Sequence, residues 1–344
     1  MAELDETDLL ARADAAAQRH WPGARVGGLR RLHGGVSSLT LAADLDLPGA
    51  PRQQIVLKVA PPGLAPVRNR DVLRQARILR SLSAAGAVVP PVLFEDAGTP
   101  PFFAMHHVRG DAYEPCLDVA NDPPYPAVVD ARARTAARTL ADLQSMELAA
   151  LGVADEPVVP IAAELDRWER LLSTVDPELC PKHAQLHEKL VAEIPDRCAH
   201  PTLVHGDYRL ANMLFDGPEL TAVIDWEIWS IGDPRIDLAW LLMHTDPVHA
   251  FVESRGPANS AAGAGMPAVH ELLAEYRAIR PVELPAMDWF LAHSYYKTAS
   301  TIAALVKRNR KAAHPDPSLE VAARTLPDLI ERGREVLARA DQWK

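Results

Sequence analysis

The sequence predicts an α+β chain in two lobes, a small β-rich N-terminal lobe and a larger, mainly helical C-terminal lobe. Three observations carry this. Strand-like runs concentrate before Gly110, and helical periodicity dominates after it. Two short β-like runs, "TLVHGD" and "TAVIDWE", interrupt the helical part, and each sets an aspartate among apolar residues. Carboxylates next to core-type sequence are costly to desolvate unless paired or metal-bound, so two such runs close together mark a candidate site.

Residues 5–20 read as an amphipathic helix with Leu9, Leu10, Ala13, Ala16 and Ala17 on one side, stopped by "WPG". Three strands follow, "VGGLRRL", "SLTLAADL" and "QQIVLKVA", broken at Gly34-Gly35 and at "LPGAPR". Helical spacing returns over 69–83, with Val72, Leu73, Ala76, Leu79 and Leu82 apolar. "VVPPVLFED" and "PPFFAMHHVRG" then read as two further strands. The boundaries are therefore 1–103 for the first lobe, 104–110 for a hinge and 111–344 for the second lobe. Helices are expected over 129–150, 161–173, 181–194, 235–244, 268–279, 286–307 and 317–340. The Gly-, Ala- and Pro-rich stretch 253–267 reads as a mobile loop.

Composition narrows the class. Of 344 residues, 48% are hydrophobic and 24% charged, as in soluble enzymes, and the formal charge of −10 argues against a nucleic-acid partner. Cys116, Cys180 and Cys198 form no CxxC pair and leave an odd count, which fits a reduced cytoplasmic protein. The acidic start "MAELDETDLL" lacks the pattern of a signal peptide, and no apolar run is long enough to span a membrane. Oligomeric state stays open.

Four pieces carry chemistry. In "LHGGVSSLT", Gly34, Gly35 and Val36 offer backbone that approaches a phosphate closely, with hydroxyls at Ser37 and Ser38; alone, such a glycine pair is more often a plain hairpin. Lys58 lies inside an apolar strand one hairpin later, where an unpaired lysine is rarely buried; it is either a phosphate ligand or an edge-strand charge. "HGDYRLAN" spaces Asp207 and Asn212 as a kinase catalytic loop does, with a base and a magnesium ligand five residues apart. Asp225 ends a short apolar run 18 residues after Asp207, where kinases place the aspartate of their DFG segment on magnesium.

In this order, and with "HGDYRLAN", "IDWE" and "GDPRIDLA" in the second half, the sequence resembles the aminoglycoside phosphotransferase-like family of the protein-kinase-like fold. "RLHGGVSSLT", "RQARILRSL" and "GDPRIDLAW" are most similar to its kinase domains associated with acyl-CoA dehydrogenases. The resemblance implies ATP, or alternatively GTP, as phosphate donor and Mg²⁺ as cofactor. It implies Asp207 as catalytic base, Asn212 and Asp225 as metal ligands, Lys58 on the phosphates and Gly34 to Ser38 as the nucleotide lid. His205 is implied as a structural brace, and backbone at Met105 to His107 as the adenine-reading hinge. Arg209 reads either as a charge partner for the transferred phosphoryl group or as a surface arginine. Asp233 and Asp237 are expected to be structural. One departure stands out: Gln75 occupies the place of the family's usual Glu partner for the lysine, with Asp71 one turn earlier as a substitute.

The function expected is transfer of the ATP γ-phosphate to the hydroxyl of a small molecule. Polycationic aminoglycosides call for acidic lining, whereas residues 293–311 offer Lys297, Lys307, Arg308, Arg310 and Lys311 with no carboxylate. That favours a hydroxyacyl compound over an aminoglycoside. The alternatives are a non-catalytic nucleotide-binding pseudokinase, which Gln75 alone supports, and a true aminoglycoside O-phosphotransferase. A metal-dependent hydrolase lacks a matching motif. Zinc at His183 and His187 lacks a third ligand nearby, Cys116 lacks a base partner, and "KRNRK" at 307–311 reads as a solvated helix end.

Overall fold

A computed structural model describes residues 4–32, 38–116, 118, 122–245 and 263–339. The first lobe is one antiparallel sheet in the order β1 (Arg25–Arg31), β2 (Leu39–Asp46), β3 (Gln53–Val59), β5 (Phe102–His106), β4 (Val92–Asp96). Two helices cover its faces. α1 (Glu6–His20) is capped by the Asp5 carboxylate, which accepts from the Thr7 and Asp8 N–H groups. α2 (Val72–Ala84) is capped in the same way by Asp71, through Arg74 N–H at 3.0 Å.

The central strand β3 sorts its side chains with period two. Ile55, Leu57 and Val59 enter the apolar cluster under α1, together with Leu41, Leu45 and Phe102. Val56 packs on the opposite side in the cluster containing α2 and the large lobe, and Lys58 shares its parity. The apolar run thus delivers one cation to the face that meets the second lobe.

Residues 104–110 lead out of β5, and the chain is pinned as soon as it arrives. His107 N–H donates to Gln54 O at 3.1 Å, and Thr221 Oγ donates to Arg109 O at 2.8 Å. Asp111 exchanges both backbone hydrogen bonds with Phe215, at 2.9 and 3.0 Å. The buried Arg132 forks onto the Asp111 carboxylate at 2.6 and 2.9 Å.

The second lobe comprises α3 (Pro126–Ser145), α4 (Ile161–Leu172), α5 (His183–Ala192), α6 (Arg235–Thr245), α7 (Val269–Ile279), α8 (Met287–Asn309), α9 (Pro317–Ala323) and α10 (Leu326–Ala338). α8 is buried along most of its 23 residues and is the axis around which α4, α6 and α10 pack. α6 is mostly apolar and buried on every side, its charged Arg235 and Asp237 included. Two small antiparallel ribbons sit at the inter-lobe face: β6 (Thr202–Val204) with β9 (Ser230–Gly232), and β7 (Met213–Asp216) with β8 (Glu219–Val223).

The two-lobe α+β architecture agrees with the sequence. The single helix expected over 317–340 is two, divided at Arg324 and Thr325, with Pro327 in the first turn of the second. The strands β7 and β9 are additions. Most of the loop expected at 253–267 lies outside the described residues; Gly263, at its end, donates its N–H to Pro115 O at 2.8 Å.

Gly110 tests how tightly the inter-lobe chain is held. Its φ is +148°, and a Cβ there would lie 2.9 Å from Phe215 N and O. Gly49 also has positive φ, +75°, but a Cβ there meets nothing within 4 Å. Gly49→Ala is expected to cost about 1–2 kcal/mol, and Gly110→Ala to exceed it by about 1–3 kcal/mol of steric strain. Thermal unfolding of the two variants side by side checks this; equal losses would mean that the backbone at Gly110 yields.

Candidate functional site

The loop from His205 to Asn212 is fixed from below by α6. The buried Asp237 carboxylate accepts His205 N–H at 2.6 Å and Gly206 N–H at 2.9 Å. The His205 ring spans the loop: Nε2 donates to Ile224 O at 2.9 Å, and Nδ1 accepts Asp207 N–H at 3.2 Å. These partners set its tautomer and make it a brace. Asp233 accepts Arg235 N–H and the Arg235 guanidinium, so it serves the start of α6. Both aspartates have the structural roles expected of them.

Asp207 projects from this loop. Its Oδ1 accepts the Trp240 indole N–H at 2.7 Å and Arg209 Nε–H at 3.2 Å; its Oδ2 accepts from the Asn212 amide at 2.8 Å. Burial would raise its pKa, but Arg209 and Lys297 more than offset this and hold the carboxyl well below the usual range. Asn212 spends its NH₂ group on Asp207, on the side chain and on the main-chain carbonyl at 2.9 Å. Its Oδ1 is thereby left for a cation.

Asp225 is brought beside this loop because Ile224 N–H donates to Asn212 O at 2.9 Å. Its backbone is left-handed, φ 64° and ψ 52°, a conformation aspartate tolerates better than most side chains. The Lys58 ammonium, 7% exposed, meets Asp225 Oδ1 at 3.1 Å across the lobes. Lys58 therefore pairs with Asp225 rather than with Gln75 or Asp71; Gln75 is buried on α2, and Asp71 caps that helix. In place of a lysine–glutamate pair, α2 is held to the large lobe by Arg74. Its guanidinium stacks 3.6 Å over the Trp229 ring, donates to Trp229 O at 2.9 Å and reaches Glu156 at 3.1 Å.

Of the residues expected to form the nucleotide lid, Gly34, Gly35, Val36 and Ser37 lie outside the described residues. Leu32 N–H donates to Thr40 O at 2.9 Å, just beyond the β1–β2 register pair Arg31 and Leu41. Ser38 is buried, and its hydroxyl has no hydrogen-bond partner among the described residues. At the expected hinge the N–H groups of His106 and His107 both donate within the first lobe, to Pro91 O and Gln54 O, which leaves the carbonyls of the 105–107 run as the backbone groups that could meet a ligand there.

Three residues of the site were not legible as such. Trp240 lies one turn after Asp237, so the same face of α6 grips the loop's amides and its carboxylate; the i, i+3 spacing was the available signal. Lys297 is buried beneath the loop, donating to Gly206 O at 2.5 Å with its ammonium 3.8 Å from the Trp240 ring centre. It faces a small cavity lined also by Glu164, Arg167, Trp168, Gly206 and Ile228. The other cations expected to line an acceptor site do not share this place: Lys307 is ten residues along α8, about 15 Å away, and donates to Thr174 O. Arg310 pairs with Glu320. Third, Glu114 is fully buried against the loop. Its Oε2 accepts Ala211 N–H at 3.1 Å and lies 3.6 Å from the Arg209 guanidinium.

Elsewhere, His183 Nδ1 donates to Cys180 O, and His187 lies against the Tyr296 ring. Among the described residues no three His, Cys, Asp or Glu side chains form a metal-holding group, and no helix is long and apolar enough to cross a membrane. Cys116 and Cys180 are buried, and burial pushes the Cys180 thiol up to about 12.

Residues 28–272 match the model of the phosphotransferase enzyme family. Acyl-CoA dehydrogenase family member 11 of Homo sapiens is 27% identical over 299 residues, which cover 83% of this chain and 38% of that protein. The chain thus spans well under half the length of this relative. Among solved structures, a Ralstonia eutropha protein described as an aminoglycoside phosphotransferase superposes with a TM-score of 0.76 at 23% identity, covering 99% of this chain and all of the other. Aminoglycoside phosphotransferase APH(4)-Ia, in complex with ADP and hygromycin B, gives a TM-score of 0.56 at 14% identity, over 96% of this chain and 97% of its own. The fold and the kinship expected from the sequence are those found.

Glu114 makes stability depend on pH. Burial pushes its carboxyl from an ordinary 4.5 up to about 7, against the pull of Arg209. The folded protein therefore keeps a proton that the unfolded chain releases. This contribution is complete below pH 4.5 and is lost as pH rises through 7, a change of about 3 kcal/mol at most. Glu114→Gln resembles the protonated acid and does not titrate. Urea unfolding should find the two proteins alike near pH 5 and the variant more stable at pH 8. Parallel stability curves would show that Glu114 does not titrate in this range.

Proposed function

Because the chain belongs to the phosphotransferase enzyme family, we propose that it is a magnesium-dependent small-molecule kinase moving the γ-phosphate of ATP to an alcohol. GTP is the alternative donor. The observation that carries this reading is Asp207, a carboxylate oriented by Trp240, Arg209 and Asn212 at the face where Lys58 reaches Asp225.

The donor set suits a hard cation. Asn212 Oδ1 and the second oxygen of Asp225 are one amide and one carboxylate ligand, the small protein share that magnesium takes when phosphate oxygens supply the rest. When bound, magnesium neutralises phosphate charge and aligns the phosphates for in-line transfer. Lys58 sits beside Asp225 to hold phosphate oxygens. Asp207 accepts a hydrogen bond from the acceptor hydroxyl and orients its oxygen toward phosphorus. A carboxylate this acidic is a weak base, so it takes the proton only as the new O–P bond forms and the bond to the departing diphosphate oxygen breaks. Arg209, on the same Asp207 oxygen as Trp240, offsets charge on the phosphoryl group in flight.

For the acceptor we favour a hydroxyacyl compound over an aminoglycoside. Lys297 and Arg167 outnumber the one acid, Glu164, in the lining of the small cavity next to Gly206, and a net positive lining repels a polycationic acceptor. The match to proteins named as acyl-CoA dehydrogenases points to the same class.

The test is magnesium-dependent transfer of labelled γ-phosphate to a panel of hydroxyacyl-CoA thioesters, aminoglycosides, choline and sugars. Transfer to one class is expected, falling about 10²–10⁴-fold in Asp207→Asn while nucleotide affinity persists. Tight Mg-ATP binding with no transfer to any acceptor would instead identify a nucleotide-binding regulatory module.

A further inference from the structure

We propose that Glu114 is a positioning residue for Arg209, holding the guanidinium against Asp207 where it faces the phosphoryl group. This rests on the kinase reading above. Glu114 lies in the irregular chain that follows the hinge, far in sequence from the catalytic loop. Its own main chain is fixed: Glu114 N–H donates to Asp118 Oδ2 and Asp118 N–H to Glu114 O, both at 2.8 Å. From this anchor the side chain reaches two residues between Asp207 and Asn212, the Ala211 N–H and the Arg209 guanidinium.

Arg209 is thereby held at two edges. Its Nε–H is on Asp207 at 3.2 Å, and its Nη1 is 3.6 Å from Glu114. A planar fork with both edges engaged keeps one orientation, whereas with one edge free it turns about the other. The side chain stays 27% exposed, so its outer face remains open to a ligand.

Packing does not account for an acid at this position. Glu114 is 0% exposed, and its Oε1 has no hydrogen-bond partner among the described residues. The charged groups acting on it are Arg209, Asp118 and Asp207, of which two are themselves acidic. An uncharged residue of the same shape keeps the Ala211 hydrogen bond and avoids the cost of a buried charge. What only the carboxylate supplies is a grip on Arg209.

The test uses the full chain, with Mg-ATP as probe and either water or the alcohol found by the panel as acceptor. At pH 8, above the pH at which the Glu114 carboxyl loses its proton, Glu114→Gln should lower kcat about tenfold or more and leave the nucleotide KM within about threefold. It should do so while unfolding no earlier than wild type above pH 7, which a structural residue would not. In an Arg209→Met background the same change should cost nothing further, since the group it positions is gone. A second readout needs no turnover: the Arg209 Nε–H resonance, identified by its loss in Arg209→Lys, should exchange faster with solvent in Glu114→Gln. Additive losses in the double variant, or unchanged exchange, would overturn the proposal. If wild type transfers phosphate to nothing, the kinase reading falls, and the exchange measurement alone decides whether Glu114 holds Arg209.

Discussion

Two successive amide groups, His205 N–H and Gly206 N–H, close on the two oxygens of Asp237, and the candidate site hangs from that grip. Bonds to an ionised acceptor are about twice as strong as neutral ones, and stronger still away from water. The grip fixes where Asp207 leaves the main chain. The His205 ring then ties the same turn to Ile224, and the Ile224 N–H ties back to Asn212. One buried carboxylate thus sets the place of the candidate base and, at two removes, of both candidate metal ligands. The burial that raises the pKa of Asp237 is opposed by His205 and by these amides.

Charge in this region is arranged in overlapping pairs. Arg209 lies between Asp207 and Glu114, and Lys297 beneath Gly206 and over the Trp240 ring, while Lys58 stands on Asp225 from the other lobe. Burial depresses the pKa of Lys297, and Asp207 counters it. Arg209 and Lys297 each have more than one partner and Lys58 is paired with Asp225, which lets several charges remain in a largely apolar setting without any being left alone.

Much of this was legible because it is local. The spacing of Asp207 and Asn212, the apolar run ending at Asp225 and the parity of Lys58 in its strand are properties of short windows. So are the stop of α1 at "WPG" and the two-lobe division of strands and helices. The rest depends on contacts that no window contains. Glu114 meets Ala211 across 97 positions with no neighbour in sequence that announces it, and Trp240 meets Asp207 across 33, signalled only by its spacing from Asp237. β7 and β9, of four and three residues, are too short for a period to register. The break at Thr325 is different, since Pro327 was there to be read. Lysine and arginine on α8 were counted as one set, although a helix carries residues ten positions apart to opposite ends of a site.

The chain between the lobes has little slack. His107 belongs to the sheet through Gln54, and Arg109 belongs to the large lobe through Thr221. Val108 alone stands between them. Between the anchored His107 N–H and the anchored Arg109 O lie the φ and ψ of three residues, six rotations where a tether has dozens. A joint this short narrows the ways in which one half can turn against the other, so whatever passes between the lobes does so along few paths.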